Sequence, residues 1–331
     1  MESRTTSRLP YNLSVVGQGC WQLGADWGDV TEDAALTVLN AALDAGVTFF
    51  DTADVYGDGR SEKIIGRLLK EQNRSDITVF TKMGRRADPF TAEEYTLDNF
   101  RAWTDRSREN LQVDTLDLVQ LHCPPPAVYF DPATYDSLDT LVAENRIAAY
   151  GVSVETVAEG LEAIKHPGVA SVQIIINAFR QKPLEEFLPA AAEAGVAVIA
   201  RVPLASGLLS GRYRHDTVFA ENDHRNFNRN GESFDVGETF AGVPFDVGVD
   251  AAARFVEIVE QQGTGGTPAQ RALRWIIDQP GITTVIPGAR NEEQARANAL
   301  AASLPLIDET TASSINSLYA ERIKEHVHSR W

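Results

Sequence analysis

Apolar residues along this chain gather in short runs, and between the runs they recur at helical spacing. Ser14–Gly17, Val47–Phe50, Ile77–Thr81, Leu116–Leu121, Ala148–Val152, Val172–Ile176, Ala197–Arg201 and Thr283–Ile286 have the length and polar borders of buried strands. Glu32–Ala45, Glu62–Lys70, Leu97–Leu111, Tyr135–Glu144, Glu155–Ile164, Glu185–Ala194 and Ala269–Asp278 read as amphipathic helices. Strand-like runs alternating with helices predict parallel βα units. Eight such units close most naturally into one (β/α)8 barrel, an α/β TIM-barrel fold, here a single domain over residues 1–331. The residues just ahead of Ser14 (Arg8–Pro10, Tyr11–Leu13) predict a small hairpin plugging the barrel floor. One segment breaks the rhythm. Pro203–Gly248, after the seventh strand, is rich in Gly, Asn, Asp and Arg and predicts a long loop, either a functional lid or a flexible region.

A doubly wound sheet is the competing architecture, and it asks for G-x-G-x-x-G after an early strand. The stretch GQGCWQLG, Gly17 to Gly24, starts that way. Its third glycine is displaced, Trp21 intrudes, and no helical pattern follows at once, so the barrel is preferred.

Composition narrows the partners rather than the fold. A net charge of −17 argues against nucleic acid and anionic membrane surfaces. An anionic ligand must therefore be held by a local cluster of donors. No apolar run is long enough to span a bilayer, the first ten residues lack an apolar signal core, and two cysteines make no disulfide framework. These features predict a reduced, cytoplasmic protein.

A barrel of this kind carries its site at the C-terminal ends of the strands. The polar residues closing the apolar runs are Asp51, Lys82, His122, Ser153, Gln173 with Asn177, and Arg201, and Tyr56 lies in the loop just past Asp51. Each has an ordinary structural explanation taken singly. Packing, however, asks for none of four ionisable types at the mouths of successive strands. Together they suit acid catalysis. A phenol has an ordinary pKa of about 10, and an ammonium such as Lys82 should lower it. Asp51 can hold Lys82, and His122 can hydrogen-bond the phenol or an incoming oxygen. A phenol so tuned can protonate a carbonyl oxygen while hydride arrives at carbon.

With these residues in hand, the chain resembles the aldo-keto reductase superfamily. FFDTADVYG, the lysine of VFTKMG and the histidine of DLVQLHCP match that family's Asp–Tyr–Lys–His set. YGVSV, VPLASGLLSGRY and VIPGARNEEQARANA match its later cofactor segments. YGDGRSE and IPGARNEEQ are most similar to its bacterial, plant and channel-subunit branch. The resemblance implies NADPH bound across the barrel top, with NADH use possible, and a small carbonyl substrate. Asp51, Tyr56, Lys82 and His122 would be catalytic. Ser153 and Gln173 would hold the carboxamide. Pro203, Leu204, Ser206, Gly207, Leu208, Ser210 and Arg212 would wrap the pyrophosphate. Gly288, Arg290, Gln294 and Asn298 would hold the adenosine end, and Gly19, Cys20 and Trp21 the nicotinamide ribose side.

The chain departs from the family pattern at two positions. Val154 stands where many members have Asn, so a carboxamide contact is missing or comes from elsewhere, such as Asn177. Arg201 stands where many members stack an aromatic ring on the nicotinamide. A planar guanidinium can stack too, and its charge should disfavour NADP+ relative to NADPH. Its other option is to turn to an acidic neighbour. Trp21, Trp27, Met83, Phe90 and Tyr129, with Tyr56 and His122, are expected around the substrate. No metal site is expected, because the six histidines are scattered. The function implied is NADPH-dependent reduction of aldehydes, ketones or sugar carbonyls. The alternative is a slow or non-catalytic NADP(H)-sensing subunit on the same fold.

Overall fold

The computed structural model describes residues 1–24 and 30–331. Eight parallel strands are hydrogen-bonded in chain order: β1 (Gln18–Gly19), β2 (Phe49–Asp51), β3 (Thr78–Met83), β4 (Leu118–His122), β5 (Tyr150–Ser153), β6 (Val169–Ile175), β7 (Ala197–Arg201) and β8 (Ile282–Val285). Parallel bridges Val16–Val285 and Gly19–Gly288 join the last strand back to the first and close the ring. Each of these eight strands therefore has two neighbours.

Strand alternation explains the two cores. Phe50, Val79, Val119, Leu121, Val152, Val172, Ile174, Val198 and Ala200 point outward and join the cluster shared with the surrounding helices. Phe49, Phe80, Leu118, Ala149, Ala197 and Ile199 have the opposite parity and fill the lower interior with Leu9, Leu13 and Ile286. The N-terminal hairpin pairs Ser3–Arg4 with Leu13–Ser14, and its connecting loop carries Leu9 and Tyr11 to this floor. Tyr11 meets Phe80 edge-on at 6.2 Å.

The first strand differs from expectation. Ser14–Gly17 was the apolar run, yet Leu13–Ser14 serves the hairpin and the barrel strand proper is Gln18–Gly19. The apolar run Val15–Gly17 still pairs with Val285 and packs Val15 and Val16 into the helix-side core, but only Gln18–Gly19 forms a continuous ladder with β2. The segment after β7 is also shorter than its composition suggests, because a helix begins at Phe245 and runs to Gln261. Between them lie short turns at Ala205–Ser210, His224–Phe227, Val236–Glu238 and Phe240–Gly242. Tyr213, Phe219, Phe240 and Phe245 form its own small aromatic core, with ring centroids 5.1–6.5 Å apart. No helix among the described residues is long and apolar enough to cross a membrane.

Candidate active site

Residues of floor parity reappear, two or four positions further along each strand, as the polar groups of the mouth. Asp51 follows Phe49, Lys82 follows Phe80, and Gln120 and His122 follow Leu118. Lys82 is fully buried, and its Nζ donates to Asp51 Oδ1 at 2.5 Å, to the Thr52 carbonyl at 2.9 Å and to Tyr56 Oη at 3.5 Å. Asp51 Oδ2 accepts from Gln173 Nε2 at 2.8 Å and Gln120 Nε2 at 3.3 Å. The His122 ring stands edge-on to Tyr56 at 5.8 Å. The predicted four thus converge, and strand parity brings Gln120 with them. Sequence reasoning missed Gln120, although its position two residues before His122 was the available signal.

Loop geometry aims the phenol. Gly57 has φ +58°, and a Cβ there would run into the Gly24 carbonyl. Helix Arg60–Gln72 then starts at once, and its Ser61 hydroxyl donates to the Cys20 carbonyl at 3.0 Å, tying the loop to the end of β1.

Electrostatics correct one expectation. Burial pushes the Tyr56 phenol up to about 12, outweighing the lowering by Lys82; the Asp51 and Glu238 carboxylates push it further the same way. The phenol is consequently protonated across the neutral range. Burial opposes the Lys82 charge, but Asp51 and then Tyr56 outweigh it, and the ammonium is held above its ordinary value. Burial first, then the cations Arg85, Lys82 and Arg201, keep His122 well below its ordinary value, hence neutral. Its Nδ1 is buried without a hydrogen-bond partner among the described residues.

The remaining predicted residues fall into three groups. At the ribose side, Gly19 N donates to the Pro287 carbonyl, Cys20 is buried, and Trp21 lies over Tyr56 at 6.2 Å and against His224 at 4.9 Å. After β7, Ser206 Oγ donates to the Glu238 carbonyl and Ser210 Oγ to the Gly207 carbonyl. Pro203 and Leu208 are buried, Leu204 is half-buried and Arg212 is exposed. In the last group, Asn298 Nδ2 donates to the Gly288 carbonyl, and Gln294 Oε1 accepts from Arg290 N. Arg290 faces Asp223 at 3.5 Å, and its helix, Glu292–Leu300, is capped by Asn291.

Several assignments change. Met83 has outward parity and packs in the helix-side core, and Tyr129 is buried with its hydroxyl on the Ser153 carbonyl, so neither lines the mouth. Phe90 is exposed against Tyr95. Gln173 gives its amide to Asp51. Ser153 Oγ is buried and accepts from the Cys123 thiol at 3.4 Å. Asn177 is used locally, accepting from Phe179 N and donating to the Val202 carbonyl. Trp27 lies outside the described residues.

Arg201 turns to acidic neighbours. It contacts Glu155 and Glu238 at 2.9 Å each and donates to the Val154 carbonyl at 3.0 Å. Two carboxylates offset its charge, which removes the basis for a charge-driven preference for NADPH over NADP+. Cys123, Glu155 and Glu238 are the group of potential metal ligands that converges among the described residues. The Arg201 guanidinium stands where a cation would sit, within 3.7 Å of the thiol sulfur.

The donors present suit a dinucleotide. Gly207, at φ +98°, lets the turn after β7 fold tightly beside two serine hydroxyls. Exposed Arg212 and half-exposed Arg290 can meet phosphates, the latter at a helix start.

Comparison with known proteins agrees with this geometry. The family model described as Aldo/keto reductase family matches residues 15–320. Among curated relatives, the uncharacterized oxidoreductase YqkF of Bacillus subtilis is 28% identical, covering 96% of each chain. The aldo-keto reductase str7 of Strobilurus tenacellus is 33% identical over 86% of this chain and 80% of its own. Among solved structures, the glycerol dehydrogenase AKR11B4 from Gluconobacter oxydans superposes with a TM-score of 0.77 at 25% identity, covering 97% of this chain and 96% of that one. The chain belongs to the Aldo/keto reductase family and is a nicotinamide-dependent oxidoreductase.

Proposed function

We propose that this protein reduces small aldehydes, ketones or sugar carbonyls to alcohols with NADPH, with Tyr56 as the proton donor. The observation that carries the reading is the buried relay Asp51–Lys82–Tyr56 beside a neutral His122 in one barrel mouth. When bound, the nicotinamide supplies hydride to the carbonyl carbon. His122 orients the carbonyl oxygen with a neutral ring nitrogen. Tyr56 Oη gives its proton to that oxygen, and Lys82 stabilises the phenolate left behind. Asp51 keeps Lys82 charged and fixed, and its second oxygen is pinned by Gln173 and Gln120. Arg212 meets the pyrophosphate, and Arg290 meets the adenosine-side phosphate that NADH lacks, which is the basis for preferring NADPH. Two buried free thiols suit a reducing cytoplasm.

The test follows absorbance of the reduced nicotinamide against aldehydes, dicarbonyls and aldoses, with Tyr56→Phe alongside. Turnover should fall by about 10²–10⁴ in the variant while NADPH binding, measured by fluorescence, persists. Activity untouched by the substitution would sink the assignment. Nucleotide binding without turnover on any carbonyl would point to a sensing role.

A further inference from the structure

Ser206, in the turn after β7, does not hold its shape alone. Its backbone is left-handed, at φ +53°, a conformation that residues with a side chain resist. Its Oγ donates to the Glu238 carbonyl at 3.2 Å and accepts from Phe240 N at 3.0 Å. The Glu238 carboxylate is in turn paired with Arg201 at 2.9 Å. The stretch Asp235–Gly242 therefore braces the turn that carries Gly207 and two serine hydroxyls.

That stretch is itself seated on Trp331, which follows helix Lys324–Val327 and is buried. The indole Nε1 donates to Asp235 Oδ1 at 3.2 Å, and the same oxygen accepts from Gly237 N at 2.6 Å. A Cβ at Gly242 would collide with the ring, and one at Gly237 would come within 3.2 Å of it. Two glycines thus leave the slot that the indole fills. The Arg180 guanidinium lies over the ring, 3.5 Å from its centre. Arg180 is buried, and neither of its Nη atoms has a hydrogen-bond partner among the described residues. The ring face offsets part of the cost of burying that charge. Hydrogen bond, slot and cation all converge on the stretch that supplies both partners of Ser206 Oγ.

We propose that Trp331 is a positioning residue for the dinucleotide: it fixes Asp235–Gly242, and through Glu238 and Phe240 it holds Ser206 ready for the pyrophosphate. This rests on the reading that the turn after β7 wraps the pyrophosphate. A turn already held in shape costs less to order on binding, so loss of the brace shows as lost affinity. The adenosine end, around Gly288 and Asn298, lies outside this chain of contacts and should not feel the loss.

The experiment uses calorimetry to compare NADPH with adenosine 2′,5′-bisphosphate, which has the adenosine-end phosphates but no pyrophosphate, in the wild type, Trp331→Ala and Trp331→Phe. Trp331→Ala should weaken NADPH by about tenfold and leave the bisphosphate near its wild-type affinity. Trp331→Phe keeps a ring for Arg180 and loses the N–H bond to Asp235, so its NADPH affinity should fall between the two. It carries the test by itself if the alanine variant does not fold. NADPH affinity unchanged in both variants, or an equal loss for both ligands, overturns the proposal. A wild type that binds the bisphosphate as tightly as NADPH overturns instead the reading that the turn holds the pyrophosphate, and this inference with it.

Discussion

The floor and the mouth of this barrel are built from the same strands and the same inward parity, yet they solve opposite problems. At the floor, Phe49, Phe80, Leu118 and Ala197 exclude water and need no partner. Two or four residues further along, Asp51, Lys82, His122 and Arg201 are buried too, and the charges of Asp51, Lys82 and Arg201 are each bonded or paired. Depth alone therefore does not separate a structural from a functional interior. What separates them is whether the buried group has chemistry that packing does not require.

The sharpest way to break this contrast is Lys82→Met. It strands the Asp51 carboxylate in the interior, and loss of one partner from such a pair costs about 3–5 kcal/mol. Chemical denaturation should show that loss, and turnover should vanish with it. A variant that keeps wild-type stability would mean water reaches Asp51 and the pair is not truly buried.

At the floor, Phe80→Ala should cost a comparable amount, about 3–5 kcal/mol. Here, though, kcat/KM per folded molecule should stay near wild type, because the Phe80 ring packs with Phe49 and Tyr11 in the floor cluster and only its backbone pairs with the strand that carries Asp51. A large drop in kcat measured on fully folded protein would show that floor packing sets the mouth geometry, and would blur the distinction.

The smallest effect belongs to Asp54, which sits between Asp51 and Tyr56. It is buried, and its Oδ1 has no hydrogen-bond partner among the described residues. Burial, then the neighbouring Glu62 carboxylate, push its carboxyl up to about 7, while Arg86 and Arg106 pull it down. Its unfolded value is near 3.9, so between the two the folded state holds the extra proton. Stability from this group is thus full at low pH and lost as pH rises towards 7. At about 1.4 kcal/mol per pKa unit, damped by relaxation, the loss amounts to roughly 2 kcal/mol. Asp54→Asn should flatten the decline in Tm between about pH 4 and 7. Parallel wild-type and variant curves would show that Asp54 is ionised throughout.

Much of this was legible along the chain, for a definite reason. Helix Leu97–Leu111 begins and ends where its spacing predicts, because its apolar stripe and the Thr96 cap act within one turn. The Asp51–Tyr56–Lys82–His122 set was legible because strand ends are local features and barrel order carries them to one mouth. Legibility failed where partners come from afar. Nothing near Glu238 announces that it will reach Arg201, 37 residues away, across a segment of irregular turns. Nothing near Met83 says that it faces outward, except the parity of Lys82 beside it.

The amino-acid order by itself determined the alternation of strands and helices, the polar strand ends and the residue proposed as the acid, since each rests on spacing within a few residues. Only the tertiary structure decided that burial outweighs Lys82 in setting the Tyr56 phenol. It likewise decided that Gln173 serves Asp51 and that Arg201 is held by two glutamates. Those outcomes depend on distances between distant segments and on how much water each group loses, and neither is written in local sequence.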